Sequence, residues 1–338
     1  MASVSSVKVS ILMPVFNAQG TLTECLDSVF SQSLQNFEII VVNDFSTDKS
    51  VEIMQSYNDP RICVIENKNK GIVHALNAGL SYCNSNYVAR MDADDVMYTE
   101  RLEKQYDVLN NDADITLCAT RAKKFPEEKI QAGYVEYMRW QNACVTTQDI
   151  KNQIYIESPF AHPSVMFRKD HIVESGAYRD GAFPEDYELW LRLFHAGYKM
   201  MKLEEVLLDW RESDGRLSRT SSRYSDSAFE KLRALYLAKD VRLRGRDIVF
   251  WGVGRRTRQR ARFLIDNGIK PSAWIDIDTN KIGNEYHGVK TFSPDWLQHH
   301  ENKPFVLNYV RNHGAREDCR RHLDEAGYVM GEDYLDVA

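Results

Sequence analysis

Residues 87–95 read Tyr-Val-Ala-Arg-Met-Asp-Ala-Asp-Asp, an apolar run that ends in three carboxylates. A buried strand that ends in clustered acids is costly unless a cation lies beside them. Hard divalent ions take carboxylate oxygens, and Mg²⁺ or Mn²⁺ keeps open positions for the oxygens of a diphosphate. The stretch therefore predicts a metal–diphosphate site at Asp92, Asp94 and Asp95. The alternative is a solvated turn whose acids cap the next helix.

Apolar runs alternate with helical patterns on the N-terminal side of this stretch. Strand patterns at 7–16, 37–43 and 61–65 are separated by amphipathic patterns, and Thr21 with Glu24 predicts a capping box for the first helix. This alternation predicts an α/β fold with a doubly wound, mostly parallel sheet. Ligands of such sheets bind outside the carboxyl ends of the strands. The polar residues that follow predicted strands should therefore converge on one edge; they are Asn17, Asp44, Asn69 and the three acids.

The composition excludes several classes of protein. A chain of 338 residues is long enough for two domains, and its net charge of −6 argues against nucleic-acid binding. The six cysteines form no CxxC pair, which is typical of core thiols in a reducing compartment. The sequence shows no apolar run of membrane-spanning length and no signal-peptide pattern at its start. These features predict a cytoplasmic protein.

A second acidic motif occurs at 183–190, Phe-Pro-Glu-Asp-Tyr-Glu-Leu-Trp. Pro184 fixes the entry to a helix, and Glu185 and Asp186 fall in its first turn. The helix dipole favours acids there in any case, which is the structural explanation. The same dipole keeps Asp186 ionised, as a general base requires.

Between the two acidic motifs, the aromatic stretch 134–140 either fills core or lines a groove, and the lone His162 is either structural or an acceptor or phosphate contact.

Several ordered motifs in residues 7–220 together resemble glycosyltransferase family 2, whose members are inverting enzymes of the GT-A fold. The matching segments are Ile11–Asn17, Val42–Asp44 with Ser46–Asp48, Asn69–Gly71 with Ala75–Asn77, Ala89–Asp95, His162–Arg168 and Glu185–Asp186 with Leu189–Trp190.

The resemblance implies a nucleotide-sugar donor, with a UDP-sugar expected because the family mostly uses UDP. It also implies a saccharide or lipid-linked saccharide acceptor in surface polysaccharide biosynthesis. Asp186 would be the catalytic base, beside Glu185, and Asp94 would be the leading ligand of Mn²⁺ or Mg²⁺, with Asp92 and Asp95 as further candidates. The residues that would hold the donor are Pro14, Val15, Asn17, Asp44, Asn69, Lys70, Arg90 and Asp92.

Two positions depart from the family pattern. The family often has glycine after the nucleotide-contacting acid, whereas this chain has Phe45, which would narrow the base pocket or stack on the base. Many relatives carry Tyr-Arg-x-His late in the domain, and here the segment 210–213 reads Trp-Arg-Glu-Ser. Ser213 therefore stands where that histidine would approach the metal, which leaves the third protein ligand open. Arg211 and Ser213 join His162 as candidate acceptor or phosphate contacts.

The C-terminal third has a different character. Residues 211–262 carry 15 Lys and Arg against 6 Asp and Glu, and the segment 221–245 predicts a linking helix. This helix either attracts the chain to the inner face of an anionic membrane or is a solvated helix paired with acids of the catalytic domain. Residues 246–338 predict a small Rossmann-like domain, with a strand running into Gly252-Val-Gly254 and a further strand ending in an acid at 273–278.

Residues 1–220 are accordingly predicted to be the catalytic domain, with an accessory domain after the linker. In the accessory domain Thr257 replaces the third glycine of the dinucleotide fingerprint and three arginines crowd the turn. We expect it to dock to a partner, to form a homo-oligomer or to bind an anionic group. A sugar-nucleotide oxidoreductase or epimerase built on this GxG turn is the first alternative for the whole chain. A donor-binding scaffold without catalysis is the second.

Overall fold

The computed structural model describes residues 7–213, 215–300, 302–312 and 314–338. They form two compact units, the first built from the chain up to Ile150 together with Pro159–Ser221, and the second from Lys151–Ser158 together with Ser222–Ala338. The segment 151–158 thus leaves the first unit and returns to it at Pro159.

The first unit contains eight strands among its described residues. They are β1 (Val9–Val15), β2 (Phe37–Asn43), β3 (Ile62–Glu66), β4 (Tyr87–Arg90), β5 (Val96–Met97), β6 (Ile115–Phe125), β7 (Met166–Arg168) and β8 (Lys199–Arg211). They form one sheet in the order β3-β2-β1-β4-β7-β6-β8-β5. Strands β1 to β4 pair in parallel, whereas β7 is antiparallel to both β4 and β6. The predicted α/β fold is confirmed, as a mixed sheet with a parallel N-terminal half.

Helices connect these strands. They are α1 (Leu22–Phe30), α2 (Ser50–Ser56), α3 (Ile72–Tyr82), α4 (Arg101–Asn111), α5 (Ala132–Ala143), α6 (Thr147–Gln153), α7 (Lys169–Glu174), α8 (Glu185–His195) and α9 (Leu217–Thr220). Every residue of β1 is buried, because helices cover the parallel half on both faces. Helix α3 approaches β1 and β2 so closely that a Cβ at Gly79 would overlap the side chains of Leu12 and Val42. The aromatic stretch 134–140 lies within α5, where Met138 is buried and Tyr137 packs against the core.

The predicted capping box at the start of α1 is wrong. The hydroxyl of Thr21 donates to the carbonyl of Ala93 at 3.1 Å, and no side-chain hydrogen bond caps the helix. Glu24 forms an ion pair with Arg211. Both side chains therefore connect α1 to other segments. Thr21 contacts the turn after β4, which contains the acidic cluster, and Glu24 contacts the end of β8.

The second unit is built around a separate sheet. Its elements are α10 (Asp226–Leu237), β9 (Ile248–Trp251), α11 (Arg255–Asp266), β10 (Ala273–Ile275), β11 (Glu285–Tyr286), β12 (Val289–Phe292), β13 (Phe305–Asn308), α12 (Ala315–Glu325) and β14 (Tyr334–Asp336). The strand order is β11-β12-β10-β9-β13-β14, and all neighbours pair in parallel except β11 with β12. The strand order reverses between β9 and β13. Strands β10, β12 and β11 lie on one side of β9, and the later strands β13 and β14 lie on its other side.

The GxG turn after β9 is closed by an acid from the neighbouring strand. Asp276 accepts hydrogen bonds from the backbone N–H of Val253 and of Asp278, both at 2.9 Å. Gly252 has φ 102°, and the side chain of Thr257 packs against it. The acid at the dinucleotide spacing thus holds the turn itself.

Many of the basic side chains in 211–262 are paired with acids. Arg242 pairs with Asp240 at 2.7 Å and Arg260 with Glu230 at 2.7 Å. Asp240 and Glu230 belong to the second unit, whereas the second interpretation of the basic segment expects acids of the catalytic domain. Across the described residues, no helix combines the length and the apolar character that crossing a membrane requires.

Candidate active site

The acidic turn is anchored at the centre of the first sheet. Strand β4 pairs with β1 on one side and with β7 on the other, so its carboxyl end lies beside the end of β1. The backbone N–H of Met91 donates to the carbonyl of Leu12 at 3.0 Å. The thiol of buried Cys25 on α1 donates to the carbonyl of Asp92 at 3.2 Å. The turn is therefore fixed by the sheet and α1, which leaves its carboxylates crowded together.

Three carboxylates converge in this turn. One oxygen from each of Asp92, Asp94 and Asp95 lies within 4.8 Å of the others. Asp95 is 1% exposed, and its Oδ1 accepts from the backbone N–H of Arg211 at 2.7 Å. Its Oδ2 is buried with no hydrogen-bond partner among the described residues. An unsatisfied buried carboxylate oxygen is expensive unless a cation approaches it.

The pKa values of these acids express the same crowding. Burial, together with the charge of Asp92, raises the pKa of Asp94 to about 6, although the charges of Arg216 and Arg90 lower it. Burial followed by the charges of Asp92 and Asp94 also raises the pKa of Asp95. The three residues offer hard oxygen donors with one buried lone-pair position unused, so they fit a divalent cation.

Asp186 lies at the start of α8, as its sequence motif predicts. Its Oδ1 accepts the N–H of Tyr187 at 2.7 Å. Burial, together with the charge of buried Glu185, raises the pKa of Asp186 to about 7, although the Tyr187 hydrogen bond and the charge of Arg90 lower it. This upward shift is opposite to the expectation that the helix dipole keeps the carboxylate ionised, because burial outweighs the dipole. A carboxylate with a pKa near neutrality is suited to accept a proton.

Arg90 connects the two acidic groups electrostatically. Its guanidinium is buried and forms an ion pair with Asp92. Its charge also acts on Asp94 and on Asp186, two residues that are far apart in the chain.

Asn17 and Asp44 at the ends of β1 and β2 organise the neighbouring loops. Asn17, with φ 49°, accepts from the N–H of Thr47 at 2.8 Å. The carboxylate of Asp44 accepts from the N–H of Gly71 at 2.9 Å and from the amide of Asn67 at 2.7 Å. Each carboxylate oxygen has more than one lone-pair site, so these bonds leave Asp44 able to accept from a ligand.

The other predicted donor residues differ in exposure. Pro14 and Val15 are buried within β1, whereas Asn69 is exposed, as is Lys70, whose Nζ lies 4.8 Å from the ring centroid of Phe16. Phe45 has φ 62° and is 46% exposed. This left-handed conformation is one that glycine adopts without strain, which explains why glycine suits this position.

His162 is a core residue in this structure. It is 7% exposed, its Nε2 lies 2.9 Å from the hydroxyl of Tyr178, and its ring packs edge-on against Trp190. Burial lowers its pKa well below the ordinary value. These contacts agree with the structural interpretation of this histidine and not with an acceptor contact.

The segment after β8 contributes cations that the sequence patterns did not single out. Buried Glu212 forms ion pairs with Lys124, with Arg216 at 3.3 Å and with Arg219 at 2.6 Å. Arg211 turns towards Glu24, and Ser213 lies beside this cluster in the chain. The sequence patterns also did not single out Asn67, because the family motif contains Asn69, two residues away. The sequence feature that could have identified Arg216 is its position in a charged loop after β8, a strand that ends beside the acids.

Comparison with known proteins shows which family this chain resembles. A model of glycosyl transferase family 2 matches residues 10–175. The amylovoran biosynthesis glycosyltransferase AmsE of Erwinia amylovora is 32% identical over 207 residues, which are 60% of this chain and 75% of that protein. The chain belongs to glycosyltransferase family 2. It is an enzyme, a glycosyltransferase.

Two further similarities are informative. UDP-Gal:alpha-D-GlcNAc-diphosphoundecaprenol beta-1,3-galactosyltransferase of Escherichia coli is 28% identical over 212 residues, 61% of this chain and 74% of that protein. The structure of S. aureus TarS 1-349 in complex with UDP-GlcNAc superposes with a TM-score of 0.54 and 17% identity, covering 77% of this chain and 71% of that one. At this identity the superposition establishes a shared fold.

Proposed function

We propose that the first unit transfers a sugar from a nucleoside-diphosphate sugar to a saccharide or lipid-linked saccharide hydroxyl in surface polysaccharide biosynthesis, with inversion at the anomeric carbon. The observation that carries this proposal is the presence of two acidic groups, Asp92–Asp95 and Asp186, on both of which the charge of Arg90 acts. A UDP-sugar is the donor we favour. The named donors of similar proteins support it, UDP-Gal for the Escherichia coli relative and UDP-GlcNAc in the TarS structure.

Asp94, with Asp92 and Asp95, is proposed to hold Mn²⁺ or Mg²⁺. The three clustered carboxylates and the unsatisfied Oδ2 of Asp95 support a cation at this position. A divalent ion bound there would supply Lewis-acid stabilisation of the negative charge on a diphosphate. Arg216 adds a fixed positive charge near the same acids, and it is the residue we propose in place of the histidine that Ser213 replaces.

The residues of this chain would act in a single in-line displacement. Asp186 accepts the proton of the acceptor hydroxyl as that oxygen bonds to the anomeric carbon, while the bond from this carbon to the diphosphate oxygen breaks. The base must lie on the face of the sugar opposite the leaving group, which is why it comes from a segment distant from the acidic turn. Asp44 and Asn17 are proposed to position the nucleoside, and Lys70 and Arg90 to bind the phosphates.

A transfer assay with Asp186→Asn tests this proposal. Transfer from a radiolabelled UDP-sugar should fall by about 10²–10⁴-fold, the usual contribution of a general base. Nucleotide affinity measured by isothermal titration with Mn²⁺ present should be unchanged, because the substitution leaves the donor contacts intact. Lost nucleotide affinity in this variant would contradict the assignment of Asp186 as the base.

The second unit is proposed to be a Rossmann-like accessory domain. Its strand order, with a reversal between β9 and β13, supports this assignment. The hydrogen bonds of Asp276 to its own turn count against a nicotinamide cofactor there, and purified protein should lack nicotinamide absorption. A peripheral contact with an anionic membrane, where a lipid-linked acceptor would lie, is the localisation we propose for the whole chain.

A further inference from the structure

A depression in the second unit lies where open α/β sheets usually bind ligands. Its volume, counted together with the open solvent at its mouth, is about 420 Å³, and it is lined by side chains from α10, α11, the segment 156–157 and the loop after β13. Arg311 lies three residues beyond the end of β13, so this part of the lining is at the carboxyl edge of the sheet. The strand order reverses between β9 and β13, and crevices at such reversals are the common ligand sites of this architecture.

Arg233 is the clearest sign that the depression is built to bind something. It is 7% exposed and lines the depression. One terminal guanidinium nitrogen donates to the carbonyl of Val337 at 3.1 Å, whereas Nε is buried without a hydrogen-bond partner among the described residues. A buried donor left without an acceptor costs about 1–3 kcal/mol. A ligand oxygen in the depression would remove that cost.

The charges around the depression nearly cancel. Three arginines and three acids line it, and one of each, Arg260 and Glu230, already form an ion pair at 2.7 Å. Among the rest, Arg233 and Arg311 both act electrostatically on Glu157. Burial raises the pKa of Glu157, and Asp226 adds to the shift. Because its positive and negative charges balance, this lining does not create the positive potential that attracts a phosphate.

The remaining lining fits a polyhydroxylated ligand. Guanidinium groups only donate hydrogen bonds and carboxylates only accept them, so a lining that contains both matches hydroxyl groups, which do both. The aromatic rings of Phe229 and Tyr224 also line the depression. The apolar C–H face of a pyranose packs against such rings.

We propose that this depression is a saccharide-binding site of the second unit that takes one neutral sugar residue. Arg233 and Arg311 donate to sugar hydroxyls, Glu157 and Asp226 accept from them, and the aromatic wall packs on the ring. The site is independent of the donor and metal assignments in the first unit. In a glycosyltransferase, it would hold a sugar of a growing chain on the unit that does not carry the proposed catalytic residues.

Saturation-transfer difference NMR on the full chain tests the proposal without any nucleotide present. The probes are D-glucose, D-galactose, D-mannose, N-acetyl-D-glucosamine and N-acetyl-D-galactosamine. At least one of them should bind, and Arg311→Ala and Phe229→Ala should each weaken its affinity by about tenfold, the effect of losing one charge-assisted hydrogen bond or one ring contact. Arg311 is exposed, so its replacement should leave thermal unfolding unchanged.

Two control variants separate this site from others. Arg321→Ala removes another exposed arginine of the second unit, one that pairs with Asp318, and should leave the sugar signals unchanged. Asp186→Asn alters the first unit and should also leave them unchanged. Sugar signals that survive both Arg311→Ala and Phe229→Ala would overturn the proposal, as would the absence of signal from every sugar. Broadening of inorganic phosphate ³¹P resonances that Arg311→Ala abolishes, without sugar binding, would instead identify an anion site and overturn it.

Discussion

Two turns in this molecule place an aspartate just after a parallel strand. They differ in whether the carboxylate oxygens of that aspartate accept hydrogen bonds. After β4, Asp95 keeps one buried oxygen without a partner among the described residues, and Asp92 and Asp94 crowd against it. After β10, Asp276 uses both oxygens to accept backbone N–H groups of its own unit. Both sequences show an acid after an apolar run. The unsatisfied carboxylates indicate a ligand site, whereas the satisfied one stabilises a turn.

The largest expected effect comes from the unsatisfied turn. Asp94→Asn should lower transfer by about 10²–10³-fold, because it removes a charge that we propose binds the divalent ion. The measurement is the transfer rate with Mn²⁺ at saturating donor. The matched control is Asp276→Asn, which should leave transfer unchanged. Equal losses in the two variants would mean that the acidic turn after β4 is structural too.

Asp276→Asn should affect stability instead. The amide keeps one acceptor oxygen and places an NH₂ group against a backbone N–H, which should cost about 1–3 kcal/mol of unfolding free energy. Urea denaturation followed by tryptophan fluorescence measures this, since Trp251 and Trp274 are buried beside the turn. An unchanged midpoint would show that the two backbone hydrogen bonds contribute little.

The pH dependence of transfer reports on the base. The pKa of Asp186 is raised to about 7, so the carboxyl is protonated below that pH and is unable to accept a proton. The value of kcat/KM should therefore fall by about tenfold per pH unit below 7 and level off above it. A profile that stays flat down to pH about 5 would place the base at a carboxylate with an ordinary pKa.

The smallest expected effect concerns Phe45, an exposed ring next to Asp44. Phe45→Ala keeps a side chain in the left-handed conformation but removes the ring, so the backbone strain is the same in both proteins. If the ring stacks on the nucleotide base, the KM for the donor should rise several-fold, to about tenfold, with kcat unchanged. Phe45→Tyr is the control that retains the ring. An unchanged KM would exclude stacking.

Some features of the site were predictable because they follow from local chemistry. A strand that ends in Asp-Ala-Asp-Asp and a helix that begins with Pro-Glu-Asp are visible in the sequence, and the structure has β4 and α8 at these positions. The capping box failed because a distant partner decided the outcome: the hydroxyl of Thr21 donates to Ala93 instead of capping α1. For His162 the sequence left two interpretations open, and its burial against Tyr178 and Trp190 agrees with the structural one.

The sequence by itself determined the alternation of strands and helices, the two acidic motifs and the family, since these depend on periodicity and on the order of short segments. Only the tertiary structure decided which acids are left unsatisfied, that the charge of Arg90 acts on both acidic groups, and that Arg216 lies near the acidic turn. The physical reason is that burial and electrostatic interaction depend on distances between residues remote in the chain, and sequence spacing does not specify those distances.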